Sequence, residues 1–217
     1  MNLDLFDGMA DTEPRNEPLA EGAAVLRRFA LSREKKILAA LQNVAEKAPF
    51  RHMITPAGYR MSVAMTNCGP LGWVSDKTGY RYQPVDPDTG ARWPEMPEAF
   101  SELAEGAAAE AGFPNFAPDA CLINRYEPGA KLSLHQDKDE HDFGQPIISV
   151  SLGLPAVFLF GGLKRNEKTA RIPLAHGDVV VWGGPSRLRY HGVTPLKEGS
   201  HPLLGSFRVN LTFRKAA

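Results

Sequence analysis

The chain has 217 residues, 43% of them hydrophobic, which is enough to bury one sizeable core, and it contains no apolar run long enough to cross a bilayer. Lys and Arg number 25, as do Asp and Glu, so the net charge is zero and the totals exclude a strongly basic nucleic-acid binder or a strongly acidic tail protein. Two cysteines, Cys68 and Cys121, are too few for a disulfide framework and lack metal-site spacing; they are expected as buried reduced thiols.

The N-terminal stretch MNLDLFDGMADTEPRNEP is acidic and lacks the basic-then-apolar order of a secretory signal, so a cytoplasmic protein is expected. Residues 1–20 read as a loosely held tail. LSREKKILAALQNVAEKAP then predicts a helix, with Ser32 as its cap, Ile37, Leu38, Leu41 and Val44 on its apolar face, and Pro49 as its stop. Residues 50–95 are rich in Gly, Pro, Tyr and Trp without a helical period, and RMSVAMTN is the best strand within them. A second helix is predicted over PEAFSELAEGAAAEAG, opening at Pro97 and closing at Gly112.

From Asp119 onward the pattern becomes short strands broken by turns: ACLINRYE, AKLSLHQ, PIISVSLGL, AVFLFGG, ARIPLAHGDVVVWGG, SRLRYHGV and FRVNLTFR. Strands at this spacing predict a sandwich or barrel rather than a parallel sheet with crossover helices, giving an α+β class with a β-rich second half. Between Lys164 and Arg189 there are six bases against two acids, a modest basic face or an ordinary solvated surface.

Within that half, NRYEPGAKLSLHQDKDEHD carries His135 and Asp137 two residues apart, which in an extended segment point to one side. Two ligands hold a redox metal weakly. His191 is the strongest third candidate, since it closes the strand-like SRLRYH as His135 closes KLSLH. Two histidines and a carboxylate on one face suit a non-haem Fe(II) oxygenase. The alternatives are zinc on His135, Asp137 and His141, or a plain hydrogen-bonded pair. An EF-hand reading of DKDEHDFG fails for want of glycine at its sixth position.

The last strand is an independent line. In SFRVNLTFR, Val209, Leu211 and Phe213 share one face, and Arg208, Asn210, Thr212 and Arg214 the other. Such a polar face ordinarily meets water, but two arginines beside an amide also make a pocket for a dicarboxylate. In ACLINRYE, Leu122, Asn124 and Tyr126 likewise share a face. A metal triad beside an acid pocket points to an oxygenase whose co-substrate is a keto acid.

NRYEPGAKLSLHQDKDE, SVSLGLPAVFLFGG, HGDVVVWGG, YHGV and RVNLTFR together resemble the AlkB family of Fe(II)- and 2-oxoglutarate-dependent dioxygenases, over essentially the whole chain from Asp4 to Arg214. The resemblance implies a single domain with a double-stranded β-helix, or jelly-roll, core over about 115–214, N-terminal helices, and a nucleotide-recognition lid over about 50–95. It implies Fe(II) on His135, Asp137 and His191, with 2-oxoglutarate and O2 as co-substrates. Arg214 would bind the far carboxylate of 2-oxoglutarate, supported by Tyr126 and Arg208, with Asn124 and Asn210 near the chelating end. Trp73 would stack on an extruded base against His135, Met61, Met65 and Tyr80 would frame the pocket or the backbone, and Asp139 would favour a cationic base. Arg165 and Ser186 would lie near the base or its phosphates, and Arg189 stands where the family pattern suggests an apolar residue. The implied activity is oxidative dealkylation of 1-methyladenine and 3-methylcytosine in single-stranded DNA, with RNA and duplex DNA as further substrates, releasing formaldehyde, succinate and CO2. A monomer is expected.

Overall fold

The computed structural model describes residues 15–217, so the acidic residues 1–14 and the motif at Asp4 lie outside the described residues. Among the described residues, thirteen strands and two α-helices follow in chain order: β1 (Arg15–Ala20), β2 (Ala23–Arg27), α1 (Glu34–Lys47), β3 (Ala64–Cys68), β4 (Gly72–Asp76), β5 (Gly79–Gln83), α2 (Glu98–Glu110), β6 (Ala120–Tyr126), β7 (Leu132–His135), β8 (Ile147–Gly153), β9 (Ala156–Phe160), β10 (Ala170–Leu174), β11 (Val179–Trp182), β12 (His191–Val193) and β13 (Arg208–Arg214). A seven-stranded sheet in the order β1-β2-β11-β8-β13-β6-β3 faces a four-stranded sheet in the order β10-β9-β12-β7, and β4 and β5 form a separate hairpin. Both helices pack outside the larger sheet, completing the jelly roll that the family resemblance implies and the sandwich or barrel that the strand spacing predicts.

Two apolar clusters divide the strand residues by parity. Ile37, Leu41 and Val44 of α1 and Phe100, Leu103 and Ala107 of α2 pack with Ile123, Val150, Val181, Leu211 and Phe213 on the outer face of the sheet. Leu122, Tyr126, Ile147, Val180 and Trp182 point the other way, into the barrel with Phe158 and Phe160 of the smaller sheet. β13 is therefore buried on both faces, and Arg208, Asn210, Thr212 and Arg214 lie in the barrel interior rather than in water. Cys68 and Cys121 are buried free thiols at paired positions of β3 and β6.

The structure corrects several local expectations. Arg15–Ala20 is a strand, not a tail, because β2, which the sequence reading passed over, pairs with it. Ser32 caps nothing: Leu31–Arg33 forms a single 3-10 turn, and α1 starts after Arg33 without a side-chain cap. ARIPLAHGDVVVWGG splits into β10 and β11 around a turn that places the two halves in different sheets. SRLRYH is not a strand; a 3-10 turn at Gly184–Ser186 leads into it and His191 opens β12 instead of closing a strand. The larger sheet also recruits β1, β2 and β3 from before residue 115, so within 50–95 only the β4–β5 hairpin stands apart from it.

Candidate active site

β7 and β12 run antiparallel, and His135, the last residue of β7, pairs directly with His191, the first of β12. Antiparallel pairing brings the end of one strand to the start of the other, so the two imidazoles meet at one rim although the local reading of β12 was wrong. Gly192 permits the approach: a Cβ there would sit 2.7 Å from the Leu132 carbonyl oxygen.

Asp137, just past β7, completes the group. Its Oδ1 lies 3.6 Å from His135 Nε2 and its Oδ2 lies 3.7 Å from His191 Nε2. One ligand atom from each of the three residues falls within 4.8 Å of the others, the one such cluster of His, Cys, Asp or Glu among the described residues; His141 is not in it. His135 Nδ1 lies 2.9 Å from the Ser133 carbonyl and His191 Nδ1 3.0 Å from that of Arg189. Each Nδ1–H therefore donates to a backbone oxygen, leaving the Nε2 lone pairs aimed at Asp137, as metal ligation requires. Burial, reinforced by the neighbouring His135, depresses the His191 pKa to about 4, which keeps it neutral and able to ligate. Burial works to raise the Asp137 pKa, but Arg214 and the two histidines outweigh it and hold the carboxyl well below its usual range. The His135 side chain is 34% exposed, against 6% for His191, so the cluster opens on the His135 side.

The interior face of β13 continues the site. Arg214 donates to Asp137 Oδ2 from Nε at 3.0 Å and Nη2 at 2.6 Å. Its guanidinium therefore lies against Asp137, beside the cluster. Six residues away, Arg208 is buried with its guanidinium 4.9 Å from the Tyr126 ring centroid. Arg208 Nε and Nη1, Arg214 Nη1 and Asn124 Oδ1 are buried and have no hydrogen-bond partner. Leaving such groups unmet costs about 1–3 kcal/mol each, more for charged groups, and three spare guanidinium donors in one pocket suit an acceptor-rich anion. A dicarboxylate's oxygens would accept from both arginines, and the Asn124 amide would have to turn to present its NH2 in place of its oxygen. Asn210 pairs with Asn124 across the strands, but its amide is held by Ser149 Oγ, the Val150 carbonyl and Thr212.

On the open side, Trp73 of β4 stacks on Tyr80 of β5, with ring centroids 5.5 Å apart at 13°. Trp73 Nε1 donates to Asp139 Oδ2 at 2.8 Å, so Asp139 fixes the indole as well as placing a carboxylate beside it. Gly72 lets the Trp93 ring pack on the backbone just before Trp73, where a Cβ would meet it at 2.4 Å. Met61 packs half-buried against the barrel interior, and Met65 is fully inside it, beside Asn124. Arg165 is exposed, its guanidinium 6.0 Å from the Tyr190 ring. Ser186 is buried, donating to the Glu21 carbonyl and accepting from Arg189 Nε, which turns it from a surface contact into a support for Arg189. Arg189 also donates to the Gly161 carbonyl at 2.8 Å, tying the residue that follows β9 to the segment leading into His191.

Four residues around the site escaped the sequence reading. Trp182 lies inside the barrel, its ring 4.9 Å from that of His191. Buried Glu140 and Arg187 and the half-buried Tyr82 form a polar group against Arg214. Glu140 sits in the charged run DKDEHD, where one sequence offers no signal separating it from its solvated neighbours.

The chain matches the family model of the 2OG-Fe(II) oxygenase superfamily over residues 22–214. It is 62% identical over 214 residues to the alpha-ketoglutarate-dependent dioxygenase AlkB of Escherichia coli (strain K12), covering 99% of this chain and 98% of that protein. It is 33% identical over 171 residues to the Arabidopsis thaliana protein named DNA N(6)-methyladenine demethylase ALKBH1C, covering 67% of this chain and 38% of that one. The solved structure of OsALKBH1 superposes with a TM-score of 0.80 at 31% identity, covering 93% of this chain and all of that one.

Proposed function

The chain belongs to the 2OG-Fe(II) oxygenase superfamily as an AlkB-family dioxygenase that uses Fe(II), 2-oxoglutarate and O2, and from that membership we propose that it oxidatively dealkylates 1-methyladenine and 3-methylcytosine in single-stranded nucleic acid. The observation that carries this reading is the conjunction of the His135–Asp137–His191 cluster, the spare guanidinium nitrogens of Arg208 and Arg214 on β13, and the Trp73–Tyr80 stack on the open side.

His135, Asp137 and His191 would hold the iron. Arg208, with Tyr126, would receive one carboxylate of 2-oxoglutarate; Arg214 and Asn124 would receive the other beside Asp137, with the bound Asn210 amide stiffening the wall between them. When bound, Fe(II) with 2-oxoglutarate and O2 supplies oxidation of the N-methyl group, which leaves as formaldehyde while the co-substrate becomes succinate and CO2. The protein's own groups orient and exclude. Asp139 holds the Trp73 indole for stacking on the base and places negative charge near a cation, the state that methylation at adenine N1 or cytosine N3 creates. Tyr80, Met61 and Met65 frame the pocket, and Arg165, on a loop that Arg189 and Ser186 anchor, offers charge to the phosphates.

A base inside a duplex cannot reach a cluster set at a barrel rim, so extrusion costs a few kcal/mol that a single strand does not. We infer a single-strand preference, with RNA as a further substrate and duplex DNA as a slower one, and a monomer, since one chain supplies every group named. No helix of the described residues is long and apolar enough to cross a membrane, and we infer action in the cytoplasm on repair of alkylated DNA.

The test is Trp73→Ala, read by formaldehyde release from methylated oligonucleotides. Base–aromatic stacking is worth about 1–3 kcal/mol, so kcat/KM for the oligonucleotide should fall roughly 5- to 150-fold, with the KM for 2-oxoglutarate unchanged. A variant that demethylates as fast as the parent would contradict the assigned base-stacking role.

A further inference from the structure

The hairpin that carries Trp73 is tied to the barrel through two consecutive acids just after Asp137. One tie is Trp73 to Asp139. The other is Tyr82, which pairs with Trp73 across the hairpin and donates its hydroxyl to Glu140 Oε1 at 2.7 Å.

The Glu140 side chain is only 2% exposed and is shared by groups from three parts of the fold. Oε2 accepts from Arg187 Nη2 at 3.0 Å, and Oε1 lies 3.2 Å from Arg214 Nε as well as within reach of Tyr82. Arg187 also donates to the Asp137 carbonyl at 2.8 Å. A continuous chain therefore runs Trp73–β5–Tyr82–Glu140–Arg214–Asp137, from the surface that receives the base to the carboxylate that receives the metal.

The chain has a weak link whose strength depends on occupancy. Arg214 Nε and Nη2 both lean on Asp137 Oδ2, the oxygen that also faces His191. A cation drawing on that carboxylate would compete with Arg214, and a 2-oxoglutarate carboxylate would give the unpartnered Nη1 an acceptor. Arg214 Nε, released from Asp137, would then keep Glu140 Oε1, 3.2 Å away, as its acceptor. A charge-assisted bond there holds Glu140, and with it Tyr82 and the hairpin.

We propose that Glu140 is a positioning residue that couples filling of the iron and 2-oxoglutarate site to the placement of hairpin β4–β5, and so to the grip on the base. This rests on the nucleic-acid reading above. Coupling of this kind is reciprocal: the filled site tightens nucleic-acid binding, and bound nucleic acid tightens 2-oxoglutarate binding by the same factor.

The experiment measures binding without turnover. Fluorescence anisotropy follows a labelled single-stranded oligonucleotide bearing one 1-methyladenine, titrated with metal-free protein or with protein holding Mn(II) and 2-oxoglutarate. The parent protein should gain at least about fivefold in affinity on filling, the lower end of typical coupling. Glu140→Gln should reduce that gain to less than about twofold while the metal-free affinity stays put. Tyr82→Phe, which removes only the hydroxyl, should do the same and serves if the glutamine variant folds poorly. Amide exchange over residues 72–83 should slow on filling in the parent and not in either variant. Affinity lowered equally in both states would mark Glu140 as merely structural and overturn the proposal, as would a parent that binds with no gain. A parent that binds no methylated oligonucleotide in either state would instead overturn the substrate reading.

Discussion

His135→Ala should lower demethylation by well over 100-fold while the metal-free protein melts within about 2 °C of the parent. The activity loss follows from ligand count: removing one imidazole leaves Asp137 and His191, and even the partners of metal ligands typically cost 10–100-fold when lost. The stability expectation follows from position. The His135 side chain is 34% exposed, and its one hydrogen bond is to the Ser133 carbonyl two residues away, so its loss opens no sealed cavity. Asp137→Ala makes the contrast, since it strands Arg214 beside no carboxylate but Glu140 and should cost folding as well as turnover. A structural metal site would reverse the first result, with His135→Ala unfolding the barrel. Activity assays and melting curves on the same preparations separate the two.

Arg208→Met should raise the KM for 2-oxoglutarate by about 30-fold or more, the effect of deleting one partner of a buried charged contact. In the ligand-free protein the same change should leave the melting temperature equal or higher. Arg208 is almost fully buried, donates to Ser151 Oγ at 3.1 Å and leans on Tyr126, and leaves Nε and Nη1 unmet. Burial also pulls its pKa down, a sign that the charged form is held without a matching anion. Such a group is costly until its ligand arrives, and an apolar replacement of similar length removes that cost. An unchanged KM would remove Arg208 from the co-substrate pocket.

Alternation told which residues of β6 and β13 share a face, and the structure keeps those faces together: Asn124 pairs with Asn210 and Tyr126 with Arg208. The His-x-Asp spacing found two members of the triad, and strand-end reasoning found His191. It did so for a partly wrong reason, since β12 begins at His191 and the convergence comes from antiparallel pairing with β7. What the sequence could not give was direction along the shared face. Arg208 and Arg214 are equivalent in a pattern of alternation, and only the position of Asp137 beyond β7 decides which lies at the metal end. The same limit hid Glu140. A carboxylate in a charged run reads as solvated until the barrel closes over it with Arg187 and Tyr82. β2 was missed because its partner in the barrel, β11, lies some 150 residues away in the chain, and β1 was missed with it because it pairs with β2 alone.

The most direct test is mass spectrometry of a single-stranded DNA oligonucleotide bearing one 1-methyladenine, incubated with protein, Fe(II), 2-oxoglutarate, ascorbate and air, beside a control lacking 2-oxoglutarate. The account predicts loss of one methyl group's mass only in the complete mixture, with succinate and formaldehyde formed in step. An intact methylated oligonucleotide and no succinate, from folded and iron-loaded protein, would contradict it.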